Sequence, residues 1–211
     1  MPREIKVSPH GELCWAKVLQ PGVVNRGREN EKEIYSIDLL LSKADADAQA
    51  FVKSLKQAFI DAHGTSTKPG LNGLPFKTYL DSNGDETDLW QFTFKRNTIT
   101  PRGIELPPPA VQDAKGNPWP RDVLIGNGST GKVAFHTWSW TNPEGGKGIS
   151  ASLEAVRVLH HVPYEPPNAG DAFGAPEEGY ALTGKEARTT AAPKEEPEER
   201  PAVEADDEIP F

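Results

Sequence analysis

The stretch LWQFTFKR, residues 89–96, alternates apolar and polar side chains at every second position. In an extended chain, successive side chains point to opposite faces, so this stretch has one apolar and one polar face. Such alternation is typical of a strand that packs on a core with one face and meets solvent with the other. The expected inner residues are Trp90, Phe92 and Phe94, and the expected outer residues are Gln91, Thr93 and Lys95.

Four other segments have the composition of strands: residues 12–20, 33–41, 132–141 and 149–161. Pro21 and Gly22 are expected to stop the first of them. The glycine-rich segment NPEGGKG between the last two predicts a hairpin turn. Since a small sheet avoids exposed edges by closing on itself, the five strands predict a mainly all-β fold with a five-stranded barrel.

One helix is predicted between the second and third of these strands. Ser42 is a suitable N-cap residue and Gly64 a suitable terminator. Asp45 and Asp47 then lie in the first turn, where the helix dipole favours negative charge. The apolar residues of the segment recur with helical spacing and predict one buried stripe. They are Ala48, Phe51, Val52, Leu55, Phe59 and Ala62.

The C-terminal part of the chain differs in charge and composition from the rest. Residues 1–165 contain 19 Lys/Arg and 19 Asp/Glu, whereas residues 166–211 contain 4 and 12. The latter segment is rich in Pro, Glu and Ala and has too few apolar side chains to offset the entropy of ordering. We therefore predict a barrel domain at 1–162, a disordered Pro/Glu/Ala-rich linker at 163–203 and an acidic tip at 204–211. The body is neutral and can still carry a basic face.

The sequence gives little support to an enzyme or a metal protein. Cys14 is the single cysteine, and no Cys/His cluster has the spacing of a zinc site. The segment GNGSTGKV, residues 126–133, approaches a phosphate-binding loop but has Val133 in place of the magnesium-binding hydroxyl, and a strand is expected to follow it. We expect no catalytic residue, no metal and no cofactor. No secretion signal or membrane span is expected either.

The last eight residues, EADDEIPF, combine an acidic run with a terminal Ile-Pro-Phe. This ending resembles the C-terminal tip of bacterial single-stranded DNA-binding proteins. The resemblance implies a protein-interaction site, in which Phe211 fills an apolar pocket and the acidic run faces a basic rim. Its residues are Asp206, Asp207, Glu208, Ile209, Pro210 and Phe211.

The body, along residues 11–41 and 69–159, resembles phage-encoded single-stranded DNA-binding proteins. The resemblance implies an OB-fold that binds single-stranded DNA without sequence preference in phage replication, recombination or repair, in the cytoplasm of the infected bacterium. It also implies partners such as polymerase, helicase–primase or host proteins, and it is compatible with a homodimer. The resemblance is carried by Trp15, Pro21, 35–43, 74–77 (LPFK), 125–129 (IGNGS), Lys132, Val133, 148–150 and Leu153.

One feature departs from the usual OB order, in which the helix follows the third strand. Here the helix follows the second recognisable strand. Either a short strand precedes it unrecognised, or the connection differs.

OB-folds hold single strands by stacking bases on aromatic rings and by contacting phosphates with Lys and Arg. Stacking is favoured over a core position for Trp138 and Trp140, because His136 is expected on the same face. For Arg96 and Arg102, a phosphate contact and a solvated charge are equally supported. The candidate DNA-binding residues are Trp138, Trp140, Lys77, Tyr79, Lys95, Arg96, Arg102, Lys132 and Lys147.

Two other aromatic residues have different expected positions. Trp15 is expected in the core, at the centre of its strand. Trp119, between two prolines, is either a loop anchor or an exposed stacking platform.

Two other functions remain open at this point. A protein-interaction adaptor without DNA affinity predicts buried Trp138 and Trp140. A nuclease predicts a magnesium-dependent activity and carboxylates clustered on the barrel surface.

Overall fold

The computed structural model describes residues 4–29 and 31–165. The predicted tip at 204–211, and all of the predicted linker except 163–165, lie outside the described residues. Within them are eight strands and one helix: β1 (Lys6–Val7), β2 (Gly11–Val24), β3 (Lys32–Ser42), α1 (Ala46–His63), β4 (Phe76–Leu80), β5 (Glu86–Asn97), β6 (Ala110–Gln112), β7 (Ser129–Thr141) and β8 (Lys147–His160).

Five of the strands close into a barrel in the order β7-β2-β3-β5-β8, with β8 pairing back to β7. All these pairings are antiparallel except that between β5 and β8, which is parallel. The short strands extend the sheet, since β1 pairs with β7, β4 with β5 and β6 with β8. The predicted mainly β fold with an OB-type barrel and one helix is confirmed.

The helix α1 connects the second and third barrel strands, β3 and β5. The short strand β1 pairs with β7 at Phe135 and Ala134, next to the positions where β2 pairs with the same strand. Strand β1 therefore continues the line of β2 alongside β7. It does not add a separate barrel strand before the helix. The connection itself departs from the usual OB order.

The inner face of β5 forms the centre of the core, as the alternation of 89–96 predicts. Phe92 and Phe94 are fully buried, and their rings contact Phe51 of α1 and Phe135 of β7. Trp90 is half-buried at the margin of this cluster. The aromatic residues of β5 thus fix how the helix lies against the barrel.

Asp45, not Ser42, caps the helix. One carboxylate oxygen of Asp45 accepts hydrogen bonds from the backbone N–H groups of Asp47 and Ala48, at 2.6 and 3.2 Å. The expectation for Ser42 was wrong because this residue still pairs with Leu89 in the sheet. Gly64 ends the helix as expected, with a φ of 85°.

The predicted apolar stripe of α1 is buried except for Ala62, which is exposed in the last turn. No helix among the described residues is long and apolar enough to cross a membrane.

Strand β2 differs from its prediction in two ways. It continues through Pro21 and Gly22 to Val24, because register shifts between Cys14 and Gly22 take this part of the strand out of regular pairing. Trp15 lies at the first shift with a φ of 48° and is 45% exposed, so its expected core position was wrong. The irregular backbone turns the indole outward, and the backbone N–H of Trp15 donates to Oδ1 of Asn127 at 2.8 Å.

Candidate nucleic-acid interface

The outer face of the barrel carries a row of polar residues that crosses all five strands. Each is the register partner of the next, from β2 through β3, β5 and β8 to β7. Because partners in a sheet point to the same face, their side chains lie side by side outside the barrel. The row is Lys17, Ser36, Lys95, Ser152 and His136.

An open groove of about 850 Å³ lies over part of this row. Its floor is formed by outward residues of β5 and β8, and its sides by residues 69–77 and by Trp138. Three lysines line it, Lys32, Lys77 and Lys95. No Asp or Glu is among the described residues that line it. The groove therefore combines positive charge, exposed aromatic surface and neutral polar groups.

Backbone hydrogen bonds hold the loop 69–73 against the start of β8 and so form one wall of the groove. The N–H of Gly70 donates to the carbonyl of Lys147, and the N–H of Ile149 donates to the carbonyl of Gly73, both at 2.9 Å. A Cβ on Gly148 would lie 2.8 Å from the Cα of Gly73. Only glycine lets the loop and the strand approach this closely.

The two tryptophans of β7 share the outer face but have different surroundings. Trp138 is 52% exposed and lines the groove. Trp140 is half-buried over its cross-strand partner Gly148, where an added Cβ would clash with the indole ring. The structure therefore leaves Trp138 available for stacking, whereas Trp140 supports the wall.

Arg96 lies at the junction between β5 and β8 and not in the groove. Its guanidinium donates to the carbonyl oxygens of Pro107 and Leu153, at 3.0 and 3.2 Å, and lies 2.7 Å from Glu154. The other carboxylate oxygen of Glu154 lies 2.8 Å from Nδ1 of His136. We call Arg96, Glu154 and His136 the seam cluster, because they join the strands that close the barrel.

The remaining predicted residues fall in several places. Lys77 lines the groove, while Tyr79 contacts Trp15 with ring centroids 6.0 Å apart. Lys147 begins β8 at the groove wall, and its side chain is half-buried. Arg102 is exposed in a turn after β5.

Two further residues lie apart from the groove. Lys132 pairs across β7 and β8 with Arg157. Trp119 is a loop anchor, since its indole N–H donates to the carbonyl of Val123 at 2.8 Å and its ring contacts His161.

Sequence reasoning missed several groove residues. Gln91 and Thr93 were recognised only as the polar face of a strand, although the same alternation places them beside Lys95. Lys32 begins β3 and is far in sequence from the other residues that line the groove, so no local pattern indicates its position there. Phe76 lines the groove and also contacts Phe92.

Reactive groups contribute little at this surface. Burial, followed by the charge of Glu12, raises the pKa of the Cys14 thiol to about 12, so this residue is neutral at physiological pH. Within the part of the chain that the structure describes, no three His, Cys, Asp or Glu side chains form a group able to hold a metal ion. The turn at 126–128 leads into strand β7, so it lacks the helix N-terminus of a phosphate-binding loop.

No protein-family model matches the sequence, and no curated protein matches it. The fold is similar to the crystal structure of gp2.5, a single-stranded DNA-binding protein encoded by bacteriophage T7. The identity is 20% and the TM-score 0.58, over 86% of this chain and 100% of that chain. It is also similar to the single-stranded DNA-binding protein of bacteriophage Enc34 in complex with single-stranded DNA, at 17% identity and a TM-score of 0.58, over 76% of this chain and 89% of that chain. The predicted resemblance to phage OB-fold single-stranded DNA-binding proteins is thus confirmed at the level of the fold.

Proposed function

We propose that this chain binds single-stranded DNA without sequence preference, through the groove between β5, β8 and the loop 69–73. The observation that carries the proposal is the joint presence of Lys32, Lys77, Lys95 and exposed Trp138 around one groove. The fold is shared with two phage proteins that bind single-stranded DNA, one of them solved with its ligand. That likeness supports the choice of ligand.

Each part of the groove suits one part of a single strand. The lysines supply charge for phosphates, which gives affinity without reading sequence. Trp138 supplies a ring on which any base can stack, because every base has a π-face. Gln91, Thr93 and Ser152 supply polar groups along the floor. This combination favours a strand with unpaired bases over a duplex, whose bases are already stacked on one another.

We further propose that the protein acts in phage DNA replication, recombination or repair in the cytoplasm of an infected bacterium. The tip at 204–211 then recruits polymerase, helicase–primase or host proteins, as its acidic Ile-Pro-Phe ending suggests. A binding protein of this kind performs no catalysis.

The test of DNA binding is fluorescence anisotropy with labelled oligo-dT, single-stranded and annealed to oligo-dA, over a series of salt concentrations. We expect tight binding that prefers the single strand and weakens steeply with salt. The variant Lys77→Ala/Lys95→Ala should bind more weakly. A matched control is Lys53→Ala/Lys56→Ala, which removes the same charge from the exposed side of α1. Equal binding of both variants, or a preference for duplex, would contradict the proposal.

The test of the tip compares the full chain with a chain that ends at residue 203. Each is passed over size-exclusion resin with purified phage polymerase or helicase–primase. Co-elution of the full chain alone supports recruitment through the tip. Co-elution of both chains, or of neither, contradicts it without affecting the DNA-binding proposal.

A further inference from the structure

A second basic site lies on the same outer face of β7 and β8, away from the groove. Lys132 and Arg157 are cross-strand partners, and both side chains are exposed. Gln112 of β6 is the register partner of Arg157 on its other side, and its Oε1 accepts a hydrogen bond from Arg157 at 3.2 Å. We call Lys132, Arg157 and Gln112 the distal row.

The distal row carries two like charges with no compensating carboxylate. Within residues 4–29 and 31–165, neither Lys132 nor Arg157 forms an ion pair. Like charges directly opposite each other destabilise a sheet. An anion bound between the two side chains would offset this repulsion.

The surface between the groove and the distal row is suitable for a nucleic-acid strand. Glu154 lies on this surface, and its carboxylate is 2.7 Å from the guanidinium of Arg96, so its charge is compensated. Next comes a row of small apolar residues in register across β1, β7, β8 and β6. It consists of Val7, Ala134, Ala155 and Ala110.

The distance between the groove and the distal row suits one continuous strand of DNA. Trp138 and Lys132 are six residues apart on β7, which corresponds to about 20 Å along a strand. Side chains at alternate positions between them face the same side of the sheet. The path from Trp138 to Lys132 therefore passes the compensated seam cluster and the small apolar row and meets no unpaired carboxylate among the described residues.

We propose that the distal row is a second phosphate-binding site for the single strand that occupies the groove. This inference rests on the proposed function. The groove binds one part of the strand, the strand passes over Ala134 and Ala155, and Lys132 and Arg157 hold a phosphate further along. Short oligonucleotides fill the groove alone, whereas longer ones reach both sites.

The test measures the affinity of the full chain for oligo-dT of increasing length, from about 4 to about 16 nucleotides, the range that one OB-fold covers. The variant Lys132→Ala/Arg157→Ala should match the unchanged protein at the short lengths and bind the longest oligonucleotides at least several-fold more weakly. With the longest oligonucleotides, the slope of log K against log salt should fall by about 0.7, since the one phosphate contact at the distal row is lost. The charge-preserving variant Lys132→Arg/Arg157→Lys should keep both the affinity and the slope.

The outcomes separate this inference from the proposed function. Equal affinity of the Ala variant at every length overturns the distal site and leaves the groove intact. An equal loss at every length also overturns it, because a distal contact cannot act on a strand that does not reach it. Lys53→Ala/Lys56→Ala measures the effect of charge alone and should show no dependence on length. If the unchanged protein binds no oligo-dT at any length, the proposed function fails and the distal site fails with it.

Discussion

The groove and the seam cluster lie side by side, and they receive adjacent cations of β5. Lys95 belongs to the polar outer row and lines the open groove, whereas Arg96 points to the junction with β8 and bonds to Leu153 and Glu154. The side chain of Arg96 is 14% exposed. Two neighbouring positive charges therefore have different roles, because successive residues of a strand face opposite sides.

The contrast between Lys95 and Arg96 shows how the barrel is closed between β5 and β8. The parallel pairing of β5 with β8 covers only two register pairs, Phe94 with Ala151 and Lys95 with Ser152. Beyond it the strands separate, and the guanidinium of Arg96 bridges them by donating to a backbone carbonyl of β8. The groove can stay open and basic beside this junction because the seam cluster compensates its own charges.

The largest expected effect is the loss of stability that follows a change in the seam cluster. Arg96→Ala removes three charge-assisted hydrogen bonds, to Pro107, Leu153 and Glu154, and leaves Glu154 without its arginine partner. We therefore expect the free energy of unfolding to fall by about 2–3 kcal/mol. Chemical denaturation measured by tryptophan fluorescence gives this value. An unchanged midpoint with a large loss of DNA affinity would instead make Arg96 a phosphate contact.

The next effect concerns the groove wall. Gly148→Ala places a methyl group against the indole of Trp140 and the Cα of Gly73, so strand and loop must separate. We expect a loss of stability of about 1–3 kcal/mol, typical of overpacking, together with weaker oligo-dT binding. Gly145→Ala is a useful contrast, since Gly145 has a positive φ of 83° but nothing near its Cβ position. The Gly145→Ala variant should strain the turn at residue 145 and leave the groove wall in place. Equal DNA affinity of Gly148→Ala and the unchanged protein contradicts the role of the wall.

The sequence predicts those parts of the molecule that depend on local patterns. The alternation of 89–96 identified Phe92 and Phe94 as core, and the turn 142–148 identified the hairpin that presents Trp138. Errors arose where pairing overrides local preference. Ser42 has the chemistry of a cap, but the sheet retains it, and Trp15 is turned outward by a register shift that no spacing reveals.

The candidate site was predictable only in part, for a related reason. Residue type and strand position indicate Lys77, Lys95 and Trp138 as candidates, and all three line the groove. Arg96 was grouped with them because its partners, Leu153 and Glu154, lie more than fifty residues away in sequence. Arg157 was missed because its relation to Lys132 depends on the register of β7 against β8.

A smaller expected effect tests the exposed aromatic side of the groove. Trp138→Ala removes a stacking surface worth about 1–3 kcal/mol, so oligo-dT affinity should fall roughly 5- to 150-fold. Because Trp138 is half-exposed, stability should change little. Trp138→Phe keeps a ring and should retain most of the affinity, while Trp140→Phe reports on the wall. If Trp138→Ala binds as tightly as the unchanged protein, bases do not stack at this position.

The smallest expected effect completes the comparison between the adjacent cations. Lys95→Ala removes one exposed charge from the groove, so the salt slope should fall by about 0.7 and the affinity by a few-fold. The free energy of unfolding should stay within about 0.5 kcal/mol of the unchanged protein, because the side chain is exposed and forms no seam contact. Lys95→Arg should restore the slope, since a phosphate contact requires charge and tolerates either cation. A stability loss as large as that of Arg96→Ala would mean that Lys95 also holds the barrel closed, and the division between groove and seam would then be wrong.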